Sequence, residues 1–111
     1  VATAYKILGQ ARPLNTSNAD LITVSAGDAE VISTLTVCNT TASAATYRIF
    51  ARITGATAGE GNALAYDVAI AANDTVALTL GCTLAATDVL TVRSSLASGL
   101  TFTAFGSEID V

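Results

Sequence analysis

Histidine, tryptophan and methionine are missing from the 111 residues, lysine occurs once and proline once. Without histidine neither a Ser-His-Asp nor a Cys-His arrangement can be assembled. A zinc site needs several Cys or His ligands, and Cys38 and Cys82 are two residues far apart in the chain. The glycines of "GATAGEG" (residues 55–61) are followed by neither a Lys-Ser/Thr pair nor a helical pattern, so they are loop glycines rather than a phosphate-binding loop. No cofactor and no enzymatic activity are expected.

Charge is scarce too. Only 13% of residues are charged against 51% apolar, where an average domain is about 25% charged. A surface this poor in charge is one that something else covers, and self-association is the natural expectation. The net charge is -4, and the basic residues Lys6, Arg12, Arg48, Arg52 and Arg93 never form a run, so no nucleic-acid partner is expected. Every apolar stretch is broken by Thr, Asn or Asp well before the roughly 20 residues of a membrane span. The start "VATAYKILGQ" has no basic region leading into an apolar one. It reads as a chain that has lost its initiator Met, made in the cytoplasm. Cys38 and Cys82 are expected as free small hydrophobes, with one disulfide as the alternative.

What the chain has in abundance is alanine (22) and threonine (17), arranged with period two. "EVISTLTVCN" sets Val31, Leu35 and Val37 against Thr34 and Thr36, and "ATYRIFARI" sets Tyr47, Ile49, Ala51 and Ile53 against Arg48, Phe50 and Arg52. "DTVALTLGCTL" groups Val76, Leu78, Leu80 and Cys82. "DVLTVRS" and "GLTFTAFG" repeat the pattern with Leu90 and Val92, and with Leu100, Phe102 and Ala104. With "AYKILGQ", "ADLITVSAG" and "NALAYDVAI" there are about eight short strands, separated by connectors rich in Gly, Ser, Asn and Thr. The expected fold is all-β: one antiparallel, jelly-roll-like β-sandwich over residues 1–111, with 1–14 as an N-terminal arm able to strap onto a neighbour. No helix longer than one turn is expected. "TVSAGDAEVISTLTV" and "AIAANDTVALTLGCTL" share an order of apolar run, small-residue turn with Asp, and alternating strand, which fits two similar hairpins.

The carboxylates are the remaining candidates for chemistry. Asp67 and Asp74 bracket a short strand and turn, an arrangement of strand edge and turn rather than a paired acid site. "AAND" and "AATD" offer calcium donors, but the Asp-x-Asp-x-Asp-Gly pattern is missing, and Asp28, Asp74 and Asp88 fit turn-capping carboxylates better. Among the aromatics, Tyr47 and Phe102 fall on the core parity. Phe50 and Phe105 fall opposite it and are expected either as interface anchors or as side chains packed under a loop. Arg48 and Arg52 share a parity, which fits either a small basic patch or rim salt bridges. The binding candidates are therefore Tyr5, Lys6, Arg12, Arg48, Phe50, Arg52 and Phe105.

"YKILGQARP", Val37-Cys38-Asn39, Ala65-Tyr66-Asp67 and Phe105-Gly106-Ser107-Glu108-Ile109 carry a resemblance, spread over nearly the whole chain, to short virion structural proteins of tailed phages, especially cyanophages. The resemblance implies a capsid decoration or cement protein. Such a protein sits on the outer surface of the assembled capsid, as a homotrimer, with the major capsid protein as its partner. A tail, neck or baseplate module and a receptor- or carbohydrate-binding sandwich are the alternatives. The resemblance brings no binding residues with it; the seven candidates rest on parity and composition.

Overall fold

Residues 2–111 are described by a computed structural model. Nine strands follow one another: β1 (Thr3–Ala11), β2 (Ala19–Thr23), β3 (Asp28–Asn39), β4 (Ala45–Arg52), β5 (Ala63–Ile70), β6 (Thr75–Leu78), β7 (Cys82–Leu84), β8 (Val89–Ser94) and β9 (Leu100–Asp110). One 3-10 turn, Glu60–Asn62, interrupts the loop before β5. The strands form a five-stranded sheet in the order β1-β9-β3-β6, with β7 also on β3, and a four-stranded sheet in the order β2-β8-β4-β5. Every pairing is antiparallel and neither sheet closes, which makes an open, jelly-roll-like sandwich.

The ninth strand arises inside one alternating run. Gly81 takes a φ of 59° and divides "DTVALTLGCTL" into β6 and β7, which lie one after the other along β3. The two stretches that read as matching hairpins are not hairpins. β2 and β3 lie in different sheets, as do β5 and β6, so each Asp-bearing turn carries the chain from the four-stranded sheet to the five-stranded one. The β2–β3 corner is tied to the turn before β8 by Val24 N–H on Asp88 O (3.0 Å) and Thr87 N–H on Val24 O (2.9 Å).

The core lies between the sheets where the alternation places it. Leu35, Val37, Leu100, Phe102 and Ala104 meet Tyr47, Ile49, Leu90 and Val92, and Val76, Leu78, Leu80 and Cys82 pack on the same cluster. Val31 departs from its expected face. A bulge between Ile32 and Thr34 adds one residue, so Ile32 points into the core and Val31 points out. Gly106 stands opposite Ile32 at this bulge, and a Cβ there would collide with the carbonyl oxygen of Val31. Gly9, at a bulge in β1, is pressed likewise against the carbonyl oxygen of Leu21.

Two polar devices close the ends of the loops. The buried Asn39 donates through Nδ2 to Ser43 O (2.8 Å) and Ala71 O (3.1 Å), and its Oδ1 accepts from Thr41 N–H and Oγ1. It thereby joins the β3–β4 and β5–β6 connections. Asp88 accepts from Ala85 N–H (3.0 Å) and Thr54 N–H (3.1 Å), the turn-capping role expected of it. Asp74 likewise accepts from Thr75 N–H at 2.9 Å. Asp28 does something else: it stands opposite Asp110 in an acidic group at the end of the five-stranded sheet.

Candidate functional site

Five of the seven candidate residues divide between opposite outer faces of the sandwich, and Lys6 and Arg12 lie on neither. On the outer face of the five-stranded sheet Tyr5 and Ile7 of β1 stand opposite Ser107 and Phe105 of β9. Tyr5 is 86% exposed, Ile7 53% and Phe105 38%. With Val31 and Ser33 they line a shallow groove of about 520 Å³. Because β1 is an edge strand, this apolar strip runs to a border with unpaired backbone groups. The stretch expected as an arm therefore forms this edge strand over Thr3–Ala11, while Val1 lies outside the described residues. Arg12 is exposed just beyond it.

Lys6 has the opposite parity. Its Nζ lies 3.0 Å from Glu108 Oε1, and Glu108 stands opposite Glu30. Glu30 is only 4% exposed and one of its carboxyl oxygens has no partner. Burial, then the hydrogen bond to Glu108 and the charge of Glu108, push the Glu30 carboxyl up to about 7. Glu108 moves the other way, held below the usual carboxylate range first by its hydrogen bond from Lys6 and then by that from Glu30.

The outer face of the four-stranded sheet holds Arg48, Phe50 and Arg52. Of the two readings of Phe50, the exposed interface anchor is corrected: Phe50 is 2% exposed, covered by a ring of the neighbouring strand rather than by a loop. β4 is an interior strand, and Tyr66 of β5 folds over it, with ring centroids 6.4 Å apart and planes at 83°. Alternation places a side chain on the outer face but does not tell whether a neighbouring strand's aromatic ring covers it. Arg48 then lies over the same Tyr66 ring, its Cζ 4.0 Å from the centroid.

Each arginine faces a carboxylate, as rim salt bridges require. Arg48 donates from Nε and Nη2 to the two oxygens of Asp67 at 2.7 and 3.0 Å. Asp67 reaches this position because it sits at an irregularity of β5 with a φ of 53°, and the Arg48 hydrogen bond lowers its pKa. Arg52 Nη1 is 3.9 Å from Asp20 Oδ1, which also accepts from Thr91 Oγ1 at 3.0 Å.

Arg93 and Tyr66 belong to this face as well and were not among the candidates. Arg93 stands directly opposite Arg48 in the β4–β8 register, and its Nε donates to Thr16 O at 2.8 Å. Arg48, Arg93, Asp67, Thr16, Thr46 and Ser95 surround a recess of about 140 Å³. No sequence signal pairs Arg48 with Arg93, since the register of two strands separated by β5–β7 decides it. Among the described residues no group of three or more Cys, Asp or Glu is placed to hold a metal ion.

No protein-family model matches the chain, and no curated protein matches it. Among solved structures the chain is similar to a chain in the structure of infectious bursal disease virus, Gx strain, with a TM-score of 0.50 and 12% identity. The match covers 96% of this chain and 31% of that one, so the chain spans less than a third of that relative's length. The likeness concerns the fold.

Proposed function

We propose that the chain is a structural protein of a virus particle, and within that class a decoration or cement protein on the outer surface of a tailed-phage capsid. The observation that carries this reading is the Tyr5–Ile7–Phe105 strip, an exposed apolar surface at the edge of an otherwise well-packed sandwich. The near-complete overlap of the fold with part of a chain in a virus structure supports it. So does the scarcity of surface charge, which suits a module that spends its life against other protein.

The partner that fits the strip is the major capsid protein, and the copies associate as homotrimers on the shell. Each contact is small, but linked copies convert weak contacts into firm attachment by raising the effective concentration at the next site. Binding to the assembled shell alone stabilises that state through linkage. The role is non-enzymatic.

The test mixes purified protein with capsids that lack it, followed by cosedimentation and reconstruction of the particle. The parent protein is expected to pellet with capsids and to raise their disruption temperature. A Tyr5→Ala/Phe105→Ala double variant is expected to stay in the supernatant with its own melting temperature unchanged. Equal binding by the double variant would remove the strip from the interface. Density confined to the tail or neck would replace the capsid reading with that of a tail module.

A further inference from the structure

We propose that the recess between β4 and β8 binds a tetrahedral oxyanion, a phosphate or sulfate group, between the guanidinium groups of Arg48 and Arg93. Two arginines directly opposite each other on one sheet face repel, and such a pair persists when anionic groups balance it. Asp67 supplies a single negative charge against the two, and it engages Arg48 through Nε and Nη2. Arg48 Nη1 and both terminal nitrogens of Arg93 make no hydrogen bond among the described residues. The Arg93 side chain is nonetheless fixed, because its Nε is anchored on the backbone carbonyl of Thr16. Its terminal N–H groups are thus presented rather than free to wander.

The arrangement of the free donors favours a tetrahedral anion. Arg48, Arg93 and Ser95 line the same recess, and among their donors Arg48 Nη1, the two terminal nitrogens of Arg93 and the Ser95 hydroxyl are not engaged elsewhere. Ser95 Oγ accepts from Thr46 N–H at 2.8 Å, which leaves its own proton to donate. A carboxylate has acceptor sites enough for four donors but holds them all in one plane. A phosphate or sulfate group spreads its acceptors over three or four oxygens in a tetrahedron, which suits donors converging from two guanidinium groups and a hydroxyl. The face is also the cationic part of an acidic chain. Arg48, Arg52 and Arg93 against Asp20 and Asp67 leave +1 there, within a net charge of -4. Asp67 then acts as an internal competitor that keeps Arg48 oriented while weakening its hold on a ligand.

The experiment is a titration followed by ¹H–¹⁵N NMR, with sodium sulfate or phosphate against sodium chloride at matched ionic strength. Saturable shifts of the Arg48 and Arg93 Nε–H signals and of the Ser95 amide are expected. Arg93→Gln should weaken binding about tenfold or more. Asp110→Asn, which removes one negative charge just as Asp67→Asn does but at an exposed position of the five-stranded sheet, should leave it unchanged. Asp67→Asn, tolerated at a positive φ, should tighten binding by about fivefold or more. A merely structural ion pair would not produce that gain. A sulfated disaccharide binding more tightly than inorganic sulfate would identify the group as one carried on a sugar, and equal or weaker binding would identify the free anion. Linear, unsaturable shifts, or equal binding by the parent, Arg93→Gln and Asp67→Asn, would overturn the site.

Discussion

Glu30 of β3 and Glu108 of β9 stand directly opposite each other and share one countercharge, since Lys6 reaches Glu108 at 3.0 Å. Two carboxylates in adjacent positions hold a proton between them more readily than either alone. Glu30, the buried member, keeps it to about pH 7 and donates it to Glu108.

Stability should therefore fall as pH rises through this window. The folded-state pKa of Glu30 lies above its ordinary value of 4.5, so between about 4.5 and 7 the unfolded chain gives up a proton that the folded one retains. The loss begins above pH 4.5 and levels off above about 7, at an order of 1–3 kcal/mol. Glu108 works in the opposite direction at lower pH: its lowered pKa contributes stability that disappears as acid protonates it. Glu30→Gln can donate the same hydrogen bond without ionising. Thermal unfolding from pH 5 to 8 should show the parent declining and the Gln variant nearly flat, with the variant the more stable at pH 8.

Gly106→Ala should be among the most damaging small changes. Its Cβ would meet the Val31 carbonyl, and Ile32 Cα at 3.1 Å, both backbone atoms that no rotamer change can move aside. Either the bulge at Ser33 shifts or β9 pulls away from β3. Overpacking of this kind costs about 1–3 kcal/mol. Denaturant melts of Gly106→Ala beside Gly27→Ala measure it. Gly27 has open space around its Cβ position but a φ of 87°, so its variant carries only the backbone strain.

How much of this was legible beforehand follows from the range of each signal. Period-two alternation is local, so the core faces of β4, β8 and β9, with Tyr47, Ile49, Leu90, Val92 and Phe102, could be read directly. Bulges are not encoded by alternation, so the pattern alone groups Val31 with the inward Leu35 and Val37 while the bulge turns it outward. Pairing across long sequence separations was invisible. Arg48 was legible as an outward arginine, but neither its partner Asp67 nor its neighbour Arg93 could be. The sequence offers separate grounds for Tyr5 and for Phe105, and only the β1–β9 register shows that they share one strip with Ile7.

The two cysteines should titrate as two thiols of unequal reactivity. Both are free, and both lie on strands joined to β3: Cys38 within it, and Cys82 opposite Ile32. Cys38 follows the inward Val37, whereas Cys82 packs on the core, so the two side chains leave the sheet on opposite faces. Burial raises the Cys82 pKa and lowers its thiolate population at neutral pH. A disulfide reagent should modify Cys38 first in native protein, and both at one rate in denaturant. One thiol or none in denaturant under non-reducing conditions would show a disulfide instead.

Phe50 and Tyr5 separate folding from docking. Both sit on outer sheet faces, yet Phe50 lies beneath Tyr66 while Tyr5 projects into solvent from the edge strand. Removing a buried phenyl ring leaves a cavity as well as losing its burial, so Phe50→Ala should cost about 3–5 kcal/mol. Tyr5→Ala removes a side chain with few intramolecular neighbours and should stay within about 0.5 kcal/mol of the parent. Capsid binding should rank the two the other way once both are assayed well below the melting temperature of Phe50→Ala. If Tyr5→Ala were as destabilising as Phe50→Ala, the strip would be a packing surface of the chain itself and its role in docking would fall. If instead Phe50→Ala folded normally, the cover provided by Tyr66 would not exist in solution, and Phe50 would return as a binding residue.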